Sequence, residues 1–434
     1  MNAPDVVDVV ALGESMVTFL PTRAGRLADV PSFDRAIGGA ESNVACGLAA
    51  AGHAVRWVSR VGSDGFGDHL VETVGGHGVD VSAVGRDSSR PTGVYFRTAG
   101  DRATDAHEVA YYRAGSAASA MSVENVDLAS VRAARVLHLS GITAALSEGC
   151  LALLHALMAP GEDRPLVSFD VNHRAGLWRD AEGPRVLLEL ARGADIVFVG
   201  EDEAEEAWGV SGGPSAIRAA LPEPGVLVVK QGGVGATAFV SAAGRWGLVA
   251  PRGGAAHRHG PALLESDTGP QIRAAAPSPD PKTGGTPPTG VSDAGPSPRP
   301  AQSAGGRAAR RASGPAENGT PSARAGGTHP RPAPEPGTFV PALHVDVVAT
   351  TGAGDAFAAG FLSATLRGLP LNIRLRHGHL HAAAALTTPG DLATPPTRDT
   401  TDRLAAVSDD AWGTLRLGPG WTQAGTAPEE VRTP

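Results

Sequence analysis

Five short stretches of the chain, at 6–12, 136–140, 166–171, 196–199 and 226–229, carry apolar residues at adjacent positions, interrupted only by Asp8, His138, Ser140, Ser168 and Asp170, rather than at every second one. A strand with one wet face alternates, so strands of this kind need cover on both faces. Parallel sheets with helices on either side provide it. Segments that read as helices fall between and after them, at 41–51, 147–159, 184–192, 201–208, 353–366 and 374–386. Residues 56–61 add a strand, and 236–240 with 245–249 read as a hairpin. The pattern predicts an α/β fold with a doubly wound, mostly parallel sheet. Stretches 15–37 and 91–113 break the rhythm. They carry short Val- and aromatic-rich runs, TGVYFRT and EVAYYR, that suit a small β-lid. A lid belongs over the carboxyl edge of the sheet, where open α/β sheets bind ligands.

One stretch cannot join that core. Residues 251–340 hold 17 Pro and 15 Gly but only six large aliphatic or Phe residues. So little apolar surface cannot offset the entropy of ordering. Residues 253–338 are therefore expected to be a disordered Pro/Gly/Ala-rich insertion, locally basic, within a domain spanning 1–395. Residues 396–434 read as a polar C-terminal tail without assigned function.

Composition excludes several classes. A net charge of −8 argues against a nucleic-acid binder. Two cysteines rule out a disulfide scaffold and a Cys-based zinc cluster. The start lacks the basic and apolar regions of a secretion signal, and no run approaches 18 apolar residues, so the expected location is the cytoplasm, away from membranes. Lysine occurs only at Lys230 and Lys282, and neither ends a G-x-x-x-x-G-K-[ST] run, which excludes a P-loop.

Two Gly-rich segments carry chemistry. In ATTGAGDAFAAG (349–360), Gly352, Ala353 and Gly354 let the backbone approach a ligand, and the following helix aims free N–H groups at the same point. Such a place binds anions, phosphate above all. Asp355, in the first helical turn, reads equally as a base for an attacking hydroxyl or as a helix-start residue favoured by the dipole. In GGAESN (38–43), Gly39 and Asn43 read either as part of a tight turn or as groups facing the hydroxyls of a polyol. GSDGFG (62–67) reads as structural.

Taken together, GGAESNVACGLAAAGHAVRWVSRVGSDGFG and TTGAGDAFAAGFL resemble the N- and C-terminal signatures of the ribokinase-like sugar kinases. The resemblance implies ATP and Mg²⁺ as cofactors, Asp355 as catalytic base and the amides of Gly352, Ala353 and Gly354 as an anion hole. Such chemistry is mostly positioning and charge neutralisation. Within the family, YYRAGSAAS (111–119) and DVNHRAGLW (170–178) are similar to the 2-keto-3-deoxygluconate kinases, which make the 6-phosphate. Carried over by position, Gly39, Asn43, Tyr95, Tyr111, Arg113, Arg174 and Asp391 would contact the sugar acid. Arginine suits its carboxylate. Asn172, Lys230, Gly232, Gly235 and His379 would lie toward the nucleotide, with Asn172 and Arg174 at the junction with the phosphates. Glu203 would support Mg²⁺ through water. The family also implies a possible homodimer through the lid.

Two positions depart from the family pattern. Ala349 stands where an Asp usually helps hold a monovalent cation, and Gly200 stands where the N-x-x-E motif has its Asn. The alternatives are another kinase of the family, for fructose or for 2-keto-3-deoxygalactonate, and a non-catalytic sugar-acid-binding protein.

Overall fold

In the computed structural model the first apolar run becomes β1 (Val7–Leu12), and its side chains serve two cores at once. Val9 and Ala11 enter one, Val10 and Leu12 the other, and all four are fully buried. The structure describes residues 5–23, 25–98, 108–178, 181–241 and 336–426. They belong to one compact unit drawn from 1–254 and 333–434.

After β1 the chain leaves the main sheet for the antiparallel pair β2 (Met16–Pro21) and β3 (Phe33–Gly38), then enters α1 (Ala40–Ala50). β4 (Val55–Gly62) returns beside β1 in parallel. α2 (Gly65–Gly76) begins where the Asp64 carboxylate accepts the Gly67 N–H at 2.8 Å, and β5 (Val84–Asp87) closes that edge. β6 (Val94–Arg97) and β7 (Val109–Tyr112) then join the earlier pair to give a separate four-stranded sheet in the order β3-β2-β6-β7. This is the lid. Tyr95 and Tyr111, opposite each other on β6 and β7, stack with centroids 5.4 Å apart.

α3 (Leu128–Arg132) leads into β8 (Ala134–Ser140), which pairs with the other side of β1. The winding therefore reverses at β1, and in such sheets the reversal opens a crevice beyond the carboxyl ends of the strands. From there βα units repeat: α4 (Gly141–Ala145), α5 (Glu148–Met158), β9 (Leu166–Asp170), α6 (Gly183–Gly193), β10 (Ile196–Gly200), α7 (Glu201–Trp208), α8 (Pro214–Ala220) and β11 (Val226–Lys230). β12 (Gly235–Val240) and β13 (Thr338–Pro341) finish the sheet with antiparallel pairings. Its order is β13-β12-β11-β10-β9-β8-β1-β4-β5. Past β14 (His344–Val345), α9 (Ala353–Leu366) and α10 (Leu371–Leu386) join α1 and α2 on one face, and α3 with α5–α8 cover the other.

Two boundaries differ from the sequence reading. Thr338 already lies in β13, so the chain has rejoined the sheet by that residue; 242–335, including the expected strand at 245–249, lie outside the described residues. The C-terminal stretch is not a plain tail as far as Thr426. It forms α11 (Arg398–Ala405), α12 (Asp409–Thr414) and β15 (Arg416–Leu417). The reason is one side chain that its polar surroundings conceal. Trp412 is 1 % exposed, donates its indole N–H to the Pro341 carbonyl at 3.0 Å, and lies under the Arg376 guanidinium. A tryptophan buried with its N–H satisfied can anchor a short helix. Among the described residues no helix is long and apolar enough to cross a membrane.

Candidate active site

The carboxyl ends of four parallel strands open onto one cleft of about 660 Å³. Glu14 follows β1, Asp170 and Asn172 lie at the end of β9, Gly200 ends β10 and Lys230 ends β11. The lid contributes Tyr95, Arg97, Tyr111 and Arg113. Two helix starts complete the wall, with Gly39 and Asn43 at α1 and Gly352, Gly354 and Asp355 at α9.

Asp355 sits in the first turn of α9, and Asn43 donates from Nδ2 to its Oδ2 at 2.9 Å. Burial pushes its carboxyl up to about 7, against the opposing Asn43 hydrogen bond and Lys230 charge; the negative charges of Asp170 and Glu41 add to the rise. A base with that proton affinity is half ionised near neutrality, which is what general-base catalysis at neutral pH requires. Beside it, Lys230 donates to both oxygens of Asp170, each at 3.0 Å. Burial works against the ammonium charge, but Asp170, Glu203 and Asp355 more than offset it and hold the lysine pKa above its ordinary value.

Gly352 caps α9 at φ +78°, in the left-handed region. A Cβ there would stand 2.1 Å from the Asp391 carbonyl, so both the backbone angle and the space require glycine. The helix start then turns unsatisfied amides toward the cleft. Of the three residues expected to form the anion hole, Gly352 and Gly354 line the cleft and Ala353 does not. Its N–H closes the turn onto the Thr350 carbonyl at 3.4 Å.

At the lid end, Arg113 is paired with the buried Glu14, which also accepts the Ser116 hydroxyl at 2.6 Å. The Arg113 Nε has no acceptor among the described residues. Asp391 lines the cleft as expected, but its carboxylate is already engaged by the Tyr95 hydroxyl and by Arg97 at 2.6 Å. A carboxylate has about four acceptor sites, so these two contacts leave the expected sugar contact of Asp391 standing.

Toward the other end lie Asn172, Arg174, Gly232 and Glu203. Asn172 is buried at φ +40°. Arg174 is half exposed, donating to the His173 carbonyl at 2.8 Å and lying 3.6 Å from Glu203. One Glu203 oxygen accepts the Gly200 N–H at 2.7 Å and caps α7. Two expected residues are elsewhere. Gly235 opens β12, where a Cβ would strike the Val340 carbonyl and the Phe339 ring; its smallness serves strand packing, away from the cleft. His379 is buried beneath β13, its Nε2 3.2 Å from the Val340 carbonyl and its ring edge-on to Phe357, so it too is out of the cleft.

Sequence reading missed Glu14, Arg97, Asp170, Asp202 and Glu206, which all line the cleft. For Glu14 and Asp170 a signal existed: each is a carboxylate at the end of an apolar strand, where this architecture places its ligands. Also missed was Glu41, fully buried two residues before Asn43 on α1. Burial raises its proton affinity, although Thr143 and Ser140 each donate to it at 2.7 Å.

The pfkB family carbohydrate kinase model matches residues 7–251 and 335–398. A 2-dehydro-3-deoxygluconokinase of Thermoproteus tenax is 34 % identical over 241 residues, 55 % of this chain and 73 % of that protein. Fructokinase-1 of Zea mays is 35 % identical over 205 residues, 46 % of this chain and 62 % of that protein. The solved structure of an uncharacterized sugar kinase from Pyrococcus horikoshii in complex with ATP has the same fold, with a TM-score of 0.61 and 21 % identity, covering 93 % of this chain and 99 % of that one.

Proposed function

The chain belongs to the pfkB family of carbohydrate kinases, and from that premise we propose that it transfers the γ-phosphoryl group of ATP to the 6-hydroxyl of 2-keto-3-deoxygluconate. One observation carries the phosphotransfer. Asp355, with a pKa near 7, stands in the first turn of a helix whose amides face the same cleft. Asp355 takes the proton of the acceptor hydroxyl, that oxygen attacks the γ-phosphorus, and ADP leaves. The α9 amides hold the transferring group, and Lys230 supplies a fixed positive charge beside it.

Magnesium typically keeps several waters and takes one or two carboxylates plus phosphate oxygens, so it needs no protein cage. The donors here suit that mode. No cluster of three or more metal-binding side chains occurs among the described residues, and Glu203, with Asp202 beside it on the same wall, would hold the ion through water. When bound, the ion neutralises phosphate charge.

Arg113 supports a sugar acid as the acceptor. Guanidinium carries five donors, so Arg113, which lines the cleft, can hold Glu14 and still offer N–H groups to a substrate carboxylate. The relative from Thermoproteus tenax points to the same acceptor. A second reading, fructose, is favoured by the same ion pair, because Glu14 already neutralises Arg113; the maize relative agrees with it.

The test is a coupled ADP-release assay with Mg-ATP, comparing 2-keto-3-deoxygluconate, its galactonate epimer, fructose and ribose at equal concentration. Turnover on the sugar acids alone is the expected result. Preference for fructose or ribose overturns the acceptor but not the kinase. Asp355→Asn should still bind the acceptor while turnover collapses; unchanged turnover would remove Asp355 from its role.

A further inference from the structure

Arg97, on the lid strand β6, is 5 % exposed and reaches across to a short segment that follows α10. Its Nη2 donates to the Pro389 carbonyl at 2.9 Å and pairs with the Asp391 carboxylate at 2.6 Å. The other oxygen of that carboxylate accepts the Tyr95 hydroxyl, two residues back on the same strand. The backbone carbonyl of Asp391 meanwhile presses on Gly352, the cap of the anion-hole helix. Gly38, at the end of β3, leaves room for this junction: a Cβ there would stand 2.2 Å from the Tyr95 hydroxyl and 2.5 Å from the Asp391 carboxylate. One residue thus holds the lid through its side chain and abuts the anion-hole turn through its backbone.

We propose that Arg97 is a positioning residue for the transfer, tying the acceptor-facing lid to the anion-hole turn through Asp391. The inference rests on the reading of the cleft as the phosphotransfer site. Neither partner of the pair tolerates being buried alone, since an isolated charge in such a place is strongly unfavourable. The contact is consequently made or lost as a unit. When made, it fixes the Tyr95 ring and the Gly352 turn relative to each other, so an acceptor lying on Tyr95 meets a phosphoryl group held at Gly352 in register. When lost, nucleotide still has its amides and Lys230, but the acceptor end lies open and water competes for the γ-phosphoryl group. Hydrolysis then yields ADP and inorganic phosphate in place of ADP and a sugar phosphate.

The experiment uses Arg97→Gln, Arg97→Lys, Asp391→Asn and the Arg97→Gln/Asp391→Asn double variant in the full-length protein. Acceptor KM, ATP KM and the ratio of inorganic phosphate to sugar phosphate are measured for each. For Arg97→Gln, acceptor KM should rise about tenfold or more, ATP KM should stay within about twofold, and the phosphate ratio should climb. Arg97→Lys keeps the charge without the fork and should fall between parent and Gln. The double variant leaves no lone buried charge, so it guards against misfolding, and it should be no worse for the acceptor than the single variants. Equal losses for ATP and acceptor, multiplied losses in the double variant, or a lower melting temperature with parental KM values and phosphate ratio would each overturn the assignment. If the unaltered protein turns over no acceptor, the failure lies with the proposed function, and the inference falls with it.

Discussion

Asn43 and Asp355 stand 312 residues apart in the chain, and one hydrogen bond, Nδ2 to Oδ2 at 2.9 Å, joins them. It links the start of α1 to the start of α9 and makes the first Gly-rich segment a tuning element for the second. Donation to a carboxylate favours its charged form, so Asn43 restrains the upward push that burial exerts on Asp355.

Removing that donor should move the pH profile. Asn43→Ala leaves burial and the Asp170 and Glu41 charges unopposed by a hydrogen bond, so Asp355 holds its proton to higher pH. The acidic limb of kcat/KM, near pH 7 in the parent, is expected to shift upward, and the rate at pH 7 to drop. Profiles recorded from pH 5.5 to 9 check this, and a limb that stays in place contradicts the tuning role.

Asp355→Asn should lose activity and gain stability. A positioned base contributes about 10²- to 10⁴-fold, so kcat falls by that order. The folded-state pKa is about 7 against an ordinary 3.8. Between those values the unfolded chain gives up a proton that the native state keeps, so native stability declines as pH rises from about 4 to 7. Asparagine never ionises, so the variant escapes that decline. At pH 8 it should be more stable than the parent by on the order of 4 kcal/mol, and the gap should close near pH 4. Thermal melts at the two pH values decide it.

Gly352→Ala tests whether the cap geometry serves catalysis. The change meets both a φ of +78° and the Asp391 carbonyl 2.1 Å from the new methyl carbon. The anion-hole turn has to shift, and kcat should fall by about 10²-fold, the scale for a lost oxyanion donor. Gly76→Ala is the control: nothing lies within 4 Å of a Cβ there, and its stability should be unchanged or slightly raised. Steady-state rates and melting temperatures of the two variants should therefore diverge.

Four buried histidines set the acid limit. Burial holds His138 and His381 near 3 and His377 and His379 near 4, well below the ordinary 6.5. The unfolded chain binds protons that the native state refuses between about pH 6.5 and 4, so stability is complete above that window and is lost as pH falls through it. Denaturant unfolding from pH 7 to 4 should show uptake of several protons. His381→Gln should lower the uptake by about one.

Local pattern made most of the frame legible. The runs at 166–171, 196–199 and 226–229 are β9, β10 and β11, and the helices expected at 201–208 and 353–366 match α7 and α9. Those elements are written in consecutive apolar residues, glycines and small side chains, which a short window reveals. The partnerships in the cleft are of another kind. Glu14 with Arg113, Asp391 with Arg97 and Asp170 with Lys230 join residues far apart in the chain, and no spacing rule announces which charge meets which. Trp412 was hidden for a related reason, since a single buried ring leaves no periodicity in a polar stretch. His379 and Gly235 show the reverse case, in which position within a motif suggested a ligand and the backbone put both residues to structural use.

β12 and β13 are antiparallel neighbours, with Ala238 opposite Thr338 and Gly235 opposite Pro341. The chain thus departs from the sheet and comes back at adjacent rungs of one ladder, however many residues it travels in between. Closing such a connection grows harder only with the logarithm of its length, about 0.6 kcal/mol for each doubling. Exchanging, tagging or trimming sequence between these two strands is therefore expected to leave their ladder intact, with both ends pinned one strand apart.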